Sequence, residues 1–159
     1  MIGSFAKIRT GQNFRASERG AQLIELAIVL PIFLMLLAAA AEFGYYFHTY
    51  VTLTRATRVA ARHLSARPYN NDEKTVAKNL AVCGSPTSCS SGSAILSGLT
   101  TSNVQITHTG NGTLPTTVKV QIINYTYTPV FDLSRFVGGT AWSNVAASPS
   151  TTMRYIVWR

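Results

Sequence analysis

RGAQLIELAIVLPIFLMLLAAAA, residues 19–41, is almost wholly apolar from Ala21 onward. Helical residues rise 1.5 Å each, so residues 21–41 reach roughly 30 Å, the thickness of a bilayer's hydrocarbon core, and are expected to form a transmembrane helix. Glu25 and Pro31 interrupt the pattern. Glu25 lies about a turn inside the run, where an ionised side chain costs up to roughly 3 kcal/mol at the bilayer centre and less near its edge. A carboxyl so placed can protonate or reach the interface, or it can have a partner. Pro31 has no amide hydrogen for the carbonyl of Ala27, which predicts a kink or a loosened turn.

Upstream, residues 1–18 are polar and basic without hydrophobic periodicity, and read as a leader rather than as structure. The chain's net charge is +8, but Lys7, Arg9, Arg15 and Arg19 against Glu18 place +3 of it before Ala21. Such a cluster is explained by the positive-inside rule, which keeps the N-terminus in the cytoplasm and sends the C-terminal part outward. Nucleic-acid binding is not required to explain it. A secretory signal peptide is the alternative, because Leu37 to Ala41 ends the run with small residues. Glu25 and the length of the run argue against it.

Downstream, Phe43, Phe47, Tyr50, Thr54, Thr57, Ala61 and Leu64 recur at threes and fours, so the helix is expected to continue to about Ser65 as a stalk. From Ala21 it would measure roughly 68 Å. Phe43, Tyr45, Tyr46, Phe47 and Tyr50 suit an interfacial belt and a packing face, and Arg55, Arg58 and Arg62 a solvated one. Pro68 ends the helix. Asn71 or Asp72 can cap a second, short helix whose apolar face is Val76, Ala77, Leu80 and Ala81, with Ile95, Leu96 and Leu99 adding a small patch. Cys83 and Cys89 enclose a polar five-residue loop, expected to be a disulfide if the domain is outside the cytoplasm and two free thiols otherwise.

From Asn103 the period becomes two. Val104 and Ile106 form one strand, Gly110-Asn111-Gly112 a hairpin turn, and Val118, Val120 and Ile122 a second strand that Tyr125 and Tyr127 continue past a bulge near Ile123. Phe131, Leu133 and Phe136 are expected to anchor the following loop. A last extended segment runs from Ser143 to Trp158, with Pro149 at an edge or break. The fold class is α+β: a long N-terminal helix, a second short helix, and a small C-terminal antiparallel β-sheet packed on the helix. Four regions are expected: a leader, 1–20; a transmembrane helix, 21–41; its extracytoplasmic continuation, 42–66; and a small α+β domain, 67–159.

Arg19-Gly20-Ala21 followed by Glu25 in an apolar helix resembles the processing site of type IV prepilins, which a membrane-embedded peptidase cuts after the glycine. Glu42-Phe43-Gly44, the run from Arg55 to Arg62, and Thr152-Met153-Arg154 are similar to motifs of the TadE family of Flp pilus assembly. That family's glutamate is usually followed by Phe; Leu26 keeps an apolar side chain there. The resemblance implies a pilin-like fold and a minor pseudopilin cleaved between Gly20 and Ala21. It also implies assembly through the N-terminal helix, with Glu25, fifth from the new terminus, pairing with a neighbour's amine. Opposite charges about 4 Å apart attract by roughly 4 kcal/mol at an effective dielectric of 20, which would offset burying either alone. Pro31 could loosen the helix during packing.

The implied partners are a prepilin peptidase, the major Flp pilin, other minor pseudopilins and the inner-membrane pilus platform. The implied location is the cytoplasmic membrane, single-pass, with a periplasmic or extracellular C-terminal domain. No cofactor is expected. After Ala41 only Glu42, Asp72, Glu73 and Asp132 are acidic, and no phosphate loop, HExxH pair or nucleophile elbow occurs, so an enzyme is not expected. His48, His63 and His108 lack metal-ligand spacing. The alternative function is an anchored or secreted domain that binds a polysaccharide or small ligand and is unrelated to pili.

Overall fold

Helix α1 runs from Asn13 to Ser65 in the computed structural model, which describes residues 13–90, 92–111, 114–131 and 145–156. The leader expected over residues 1–18 therefore changes character at Asn13. Ala16, Glu18 and Arg19 favour helix and nothing between Asn13 and Ala21 breaks it, so the polar turns join the apolar run. Residues 1–12 lie outside the described residues. Helix α1 also continues through Pro31 without interruption. The chain divides into two compact units, Met1–Ala41 and Glu42–Arg159.

In the second unit, one stripe of α1 is buried: Thr49, Leu53, Ala56, Thr57, Ala60, Ala61, Leu64 and Ser65. The expected face is right at Thr57, Ala61 and Leu64, but Phe43, Phe47 and Tyr50 point outward, at 67%, 59% and 41% exposure. Small residues, Ala56, Ala60 and Ala61 with Thr49 and Thr57, share this stripe with Leu53 and Leu64. Arg55, Arg58 and Arg62 form a solvated face, as their spacing predicts.

Helix α2, Asn71–Cys83, is capped by Asn70 rather than by Asn71 or Asp72: the Asn70 Oδ1 accepts from the Glu73 amide at 2.8 Å. Asp72 and Glu73 lie in its positive first turn, and Gly84, at φ 68°, closes its end by donating to the Leu80 carbonyl. It buries Ala77, Ala81 and Val82, with Val76 and Leu80 half-buried. His63 Nε2 lies 2.6 Å from Glu73 Oε2, linking the two helices.

The main sheet is antiparallel, in the order β1 (Val104–Gly110), β2 (Pro115–Ile122), β5 (Ser150–Arg154). Val118, Val120 and Ile122 alternate inward and are fully buried, with Ile106 opposite Val120 and Met153 opposite Val118. They meet Leu53, Ala60, Ala61 and Leu64 of α1 and Ala77, Ala81 and Val82 of α2 in one core, which Leu99 joins with Leu96 against it. Truncating Leu53 or Leu64 to alanine in such a core costs about 2–5 kcal/mol. Helix and sheet are also tied by polar contacts. Thr57 donates to the Thr54 carbonyl and receives a 2.9 Å bond from Thr151, and the Ile156 amide donates to the Ser65 carbonyl at 2.8 Å.

The bulge lies elsewhere than expected. Register shifts between Thr109 and Gly110, where Gly110 has φ 95° and a Cβ would meet the Thr116 Oγ1 at 2.7 Å. Gly112 of the expected turn lies outside the described residues. At Ile123 the chain leaves the sheet instead of bulging. Asn103 receives the Ile123 amide on its carbonyl at 2.8 Å and gives its Nδ2 to the carbonyls of Ile123 and Asn124, both at 3.1 Å. Asn124 then takes φ 54°, which asparagine tolerates. Tyr125 and Tyr127 are thereby turned into the interior together, and β3 (Thr126–Tyr127) pairs with β4 (Val145–Ala146) as a second small sheet. Pro149 separates β4 from β5, which is the break expected there. Leu133, Phe136, Ser143 and Trp158 lie outside the described residues.

Candidate assembly site

Gly20, Ala21, Glu25 and Pro31 all lie on α1, and the first unit brings no other described element against them. Leu23, Ile24, Leu26, Ile28, Val29, Leu30, Ile32, Phe33, Leu34, Met35, Leu36 and Leu37 are 38–67% exposed on every side of the helix. Leaving them in water would cost on the order of 10–20 kcal/mol, so the run requires an apolar environment. It is long and apolar enough to cross a membrane. Glu25 stands exposed within that surface. Ala21 and Glu25 are four residues apart, one turn along the same face. The Gly20–Ala21 bond lies inside helical structure, and nothing approaches Gly20 within 4 Å of where a Cβ would be. Glycine is among the weakest helix formers, so this turn opens more readily than its neighbours.

The second unit holds a carboxylate that composition and periodicity do not single out. Glu42, only 5% exposed, receives the Tyr127 hydroxyl on Oε1 at 2.7 Å, the Val130 amide at 3.1 and 3.2 Å from its two oxygens, and the Phe131 amide on Oε2 at 3.0 Å. Three donors thus compensate a buried anion. Tyr46, one turn after Glu42, meets the Tyr127 ring edge-on at 5.5 Å between centroids. Burial first, then the hydrogen bond to Glu42 and its charge, push the Tyr127 phenol well above its ordinary 10.0. The Tyr127 proton therefore stays on the phenol and is shared with Glu42. Phe131 is expected to be an anchor, but its ring points outward and only its amide is held.

Cys83 and Cys89 form the disulfide, with Cα atoms 5.8 Å apart, closing the end of α2 onto the following loop. Tyr69, His108 and Lys74 make a surface group: the hydroxyl lies 2.9 Å from His108 Nδ1 and the ammonium 4.1 Å from the ring centre. A groove of about 430 Å³ between α2 and β1 is lined by Lys74, Lys78, Gln105 and Ile106, among others. Among the described residues no three His, Cys, Asp or Glu side chains gather as metal ligands would.

The TadE-like protein family model matches residues 20–62, about a quarter of the 159-residue chain. The matched segment begins at Gly20 and includes Glu25, Pro31, Glu42 and the arginine face. Over these residues the chain is similar to TadE-like proteins, which points to a Tad-pilus-related protein. No curated protein and no solved structure matches the chain.

Proposed function

We propose that this chain, TadE-like over residues 20–62, is a minor pseudopilin of a Flp or tight-adherence pilus. Residues 1–20 serve as a cytoplasmic leader that a prepilin peptidase removes after Gly20. Residues 21–41 span the inner membrane, and the rest of the chain lies outside the cytoplasm. Residues 42–66 continue the helix and residues 67–159 complete the outer domain. Assembly proceeds by lateral packing of the apolar helix with those of the major pilin and other minor pseudopilins, on the membrane platform.

The observation that carries this reading is the TadE-like match, whose first residue is the glycine of the expected cut. Two features of the helix support it. The apolar side chains are exposed all round, as subunit helices in a lipid or filament environment require. Glu25 lies one turn from Ala21 on the same face, so a free amine at Ala21 would present paired charges to a neighbour. Pro31 leaves the Ala27 carbonyl without its helical donor, a place where the helix can loosen as it packs.

The test is the N-terminal sequence and intact mass of the protein from membranes of its native host. A start at Ala21 with the apolar helix retained supports the pseudopilin. A start near Ala41 or Glu42 means a secreted domain, and an intact Met1 an ordinary anchor; either refutes the proposed processing. Comparing sheared pili with membranes then distinguishes a filament subunit from an assembly factor.

A further inference from the structure

Val130 and Phe131 are 63% and 48% exposed, although both of their amides are held on Glu42. We propose that this apolar tip enters the headgroup and acyl boundary of the bilayer, so that the outer domain touches the membrane surface as well as being anchored through it. The proposal rests on the reading that residues 21–41 span a membrane.

Glu42 is the residue that follows the apolar run, and it fixes the level of the tip: whatever its carboxylate holds lies where the helix leaves the hydrocarbon. The anion itself is covered by the Tyr127 hydroxyl and two amides, so it presents no free charge to lipid. The apolar and aromatic side chains that face outward near this level are Val130, Phe131, Phe43, Tyr45 and Phe47, with the exposed polar Thr128 and His48 beside them. Residues on a helix turn by about 100° each, so Phe43 and Phe47 share one side while Tyr45 projects from the other. A protein partner covers one side of a helix, whereas a bilayer boundary surrounds it and favours aromatic rings on all sides. Along α1 no Lys or Arg occurs between Gly20 and Arg55, so at this level the helix offers apolar contact and no charge attraction to anionic headgroups.

The experiment uses the full-length chain with Val130→Cys, spin-labelled and reconstituted in phosphatidylethanolamine and phosphatidylglycerol vesicles. Cys83 and Cys89 are joined to each other, so the label goes to the new thiol. Collision with oxygen, which concentrates in lipid, is compared with collision with a water-soluble nickel chelate. Leu34→Cys reports the span. Thr107→Cys reports water, because it adjoins His108, which contacts Tyr69 beyond the far end of α1. The oxygen-to-nickel ratio at residue 130 is expected to exceed that at residue 107 several-fold. Equal ratios at 130 and 107, with a lipid-like ratio at 34, overturn the tip and leave the span standing. Shielding of 130 from both reagents means that a second copy or another protein covers it, which also overturns the proposal. A water-like ratio at residue 34 refutes the span and the tip together.

Discussion

Replacing Glu42 by alanine removes the acceptor for one phenol and two amides at once. A hydrogen bond to a charged group contributes about 1.5–3 kcal/mol, and donors left buried without a partner add a desolvation cost. Val130 and Phe131 are exposed enough for water to reach their amides once the loop moves, which reduces the loss, whereas the Tyr127 hydroxyl is enclosed. The net expectation for Glu42→Ala is about 3–4 kcal/mol, a large part of a domain's usual 5–15. For a domain of this size each kcal/mol lowers Tm by about 4–8 °C, so the variant should melt well over 10 °C lower. Tyr127→Phe, which removes only the phenol's bond, should lose about 1.5–3 kcal/mol. The assay is thermal unfolding in detergent followed by near-ultraviolet circular dichroism, with the double variant closing the cycle. A coupling of about 1–3 kcal/mol is expected because the two groups touch. Additive effects, or a loss under about 1 kcal/mol for Glu42→Ala, would refute the view that this carboxylate organises the domain.

Glu25→Ala should still insert in the membrane but fail to join the assembly, measured by membrane fractionation against recovery in sheared pili; normal recovery sinks the pairing role. Opening the ring with Cys83→Ser and Cys89→Ser together should cost at most about 2 kcal/mol, because so short a loop loses little entropy on closure, and the melting temperature checks it. Alkaline stability follows from Tyr127, whose folded-state proton is held above the ordinary 10.0 by burial and then by Glu42. The stabilisation is fully present below about pH 10 and falls as pH rises toward the folded value, because the unfolded chain releases its proton first. Tyr127→Phe should flatten part of that decline in Tm against pH. Tyr69 and Tyr125, also raised by burial, should keep a residual slope, and an unchanged profile would refute the assignment.

The apolar run, α2 and the β1–β2 pairing were legible because each is a local pattern: an unbroken run, a 3.6 period with a cap, a period of two. The lower face of the stalk was not. Phe43, Phe47 and Tyr50 carry a strong hydrophobic signal, yet the buried stripe runs through Leu53, Ala56, Ala60 and Ala61, whose alanines signal burial only weakly. Tyr125 and Tyr127 were legible as strand residues but not as buried ones in a separate sheet, since the departure depends on Asn103 reaching Ile123 and Asn124 some twenty residues away. Of the proposed assembly residues, Glu25 and Pro31 stand out because they interrupt the apolar run, whereas Gly20 and Ala21 are singled out by the resemblance to a prepilin processing site. Glu42 stood out only through a resemblance. Its partners are 85 to 89 residues distant, beyond any local pattern.

Strand β2 is central, and its second neighbour is β5, the last described strand. A ribosome delivers the chain N-terminus first, so α1, α2 and the β1–β2 hairpin exist before their remaining edge arrives. Until Ser150–Arg154 is available, Val118 lacks Met153 and Thr57 lacks Thr151. The Glu42 contacts wait for Tyr127, Val130 and Phe131 in the same way. The contacts that close the second unit therefore wait for residues 127 to 154, leaving an interval during synthesis in which α1 lacks the strand that completes its sheet. A stop codon before Ser150 would make that interval permanent, and such a product should be a substrate for quality-control proteases even though its membrane helix is intact.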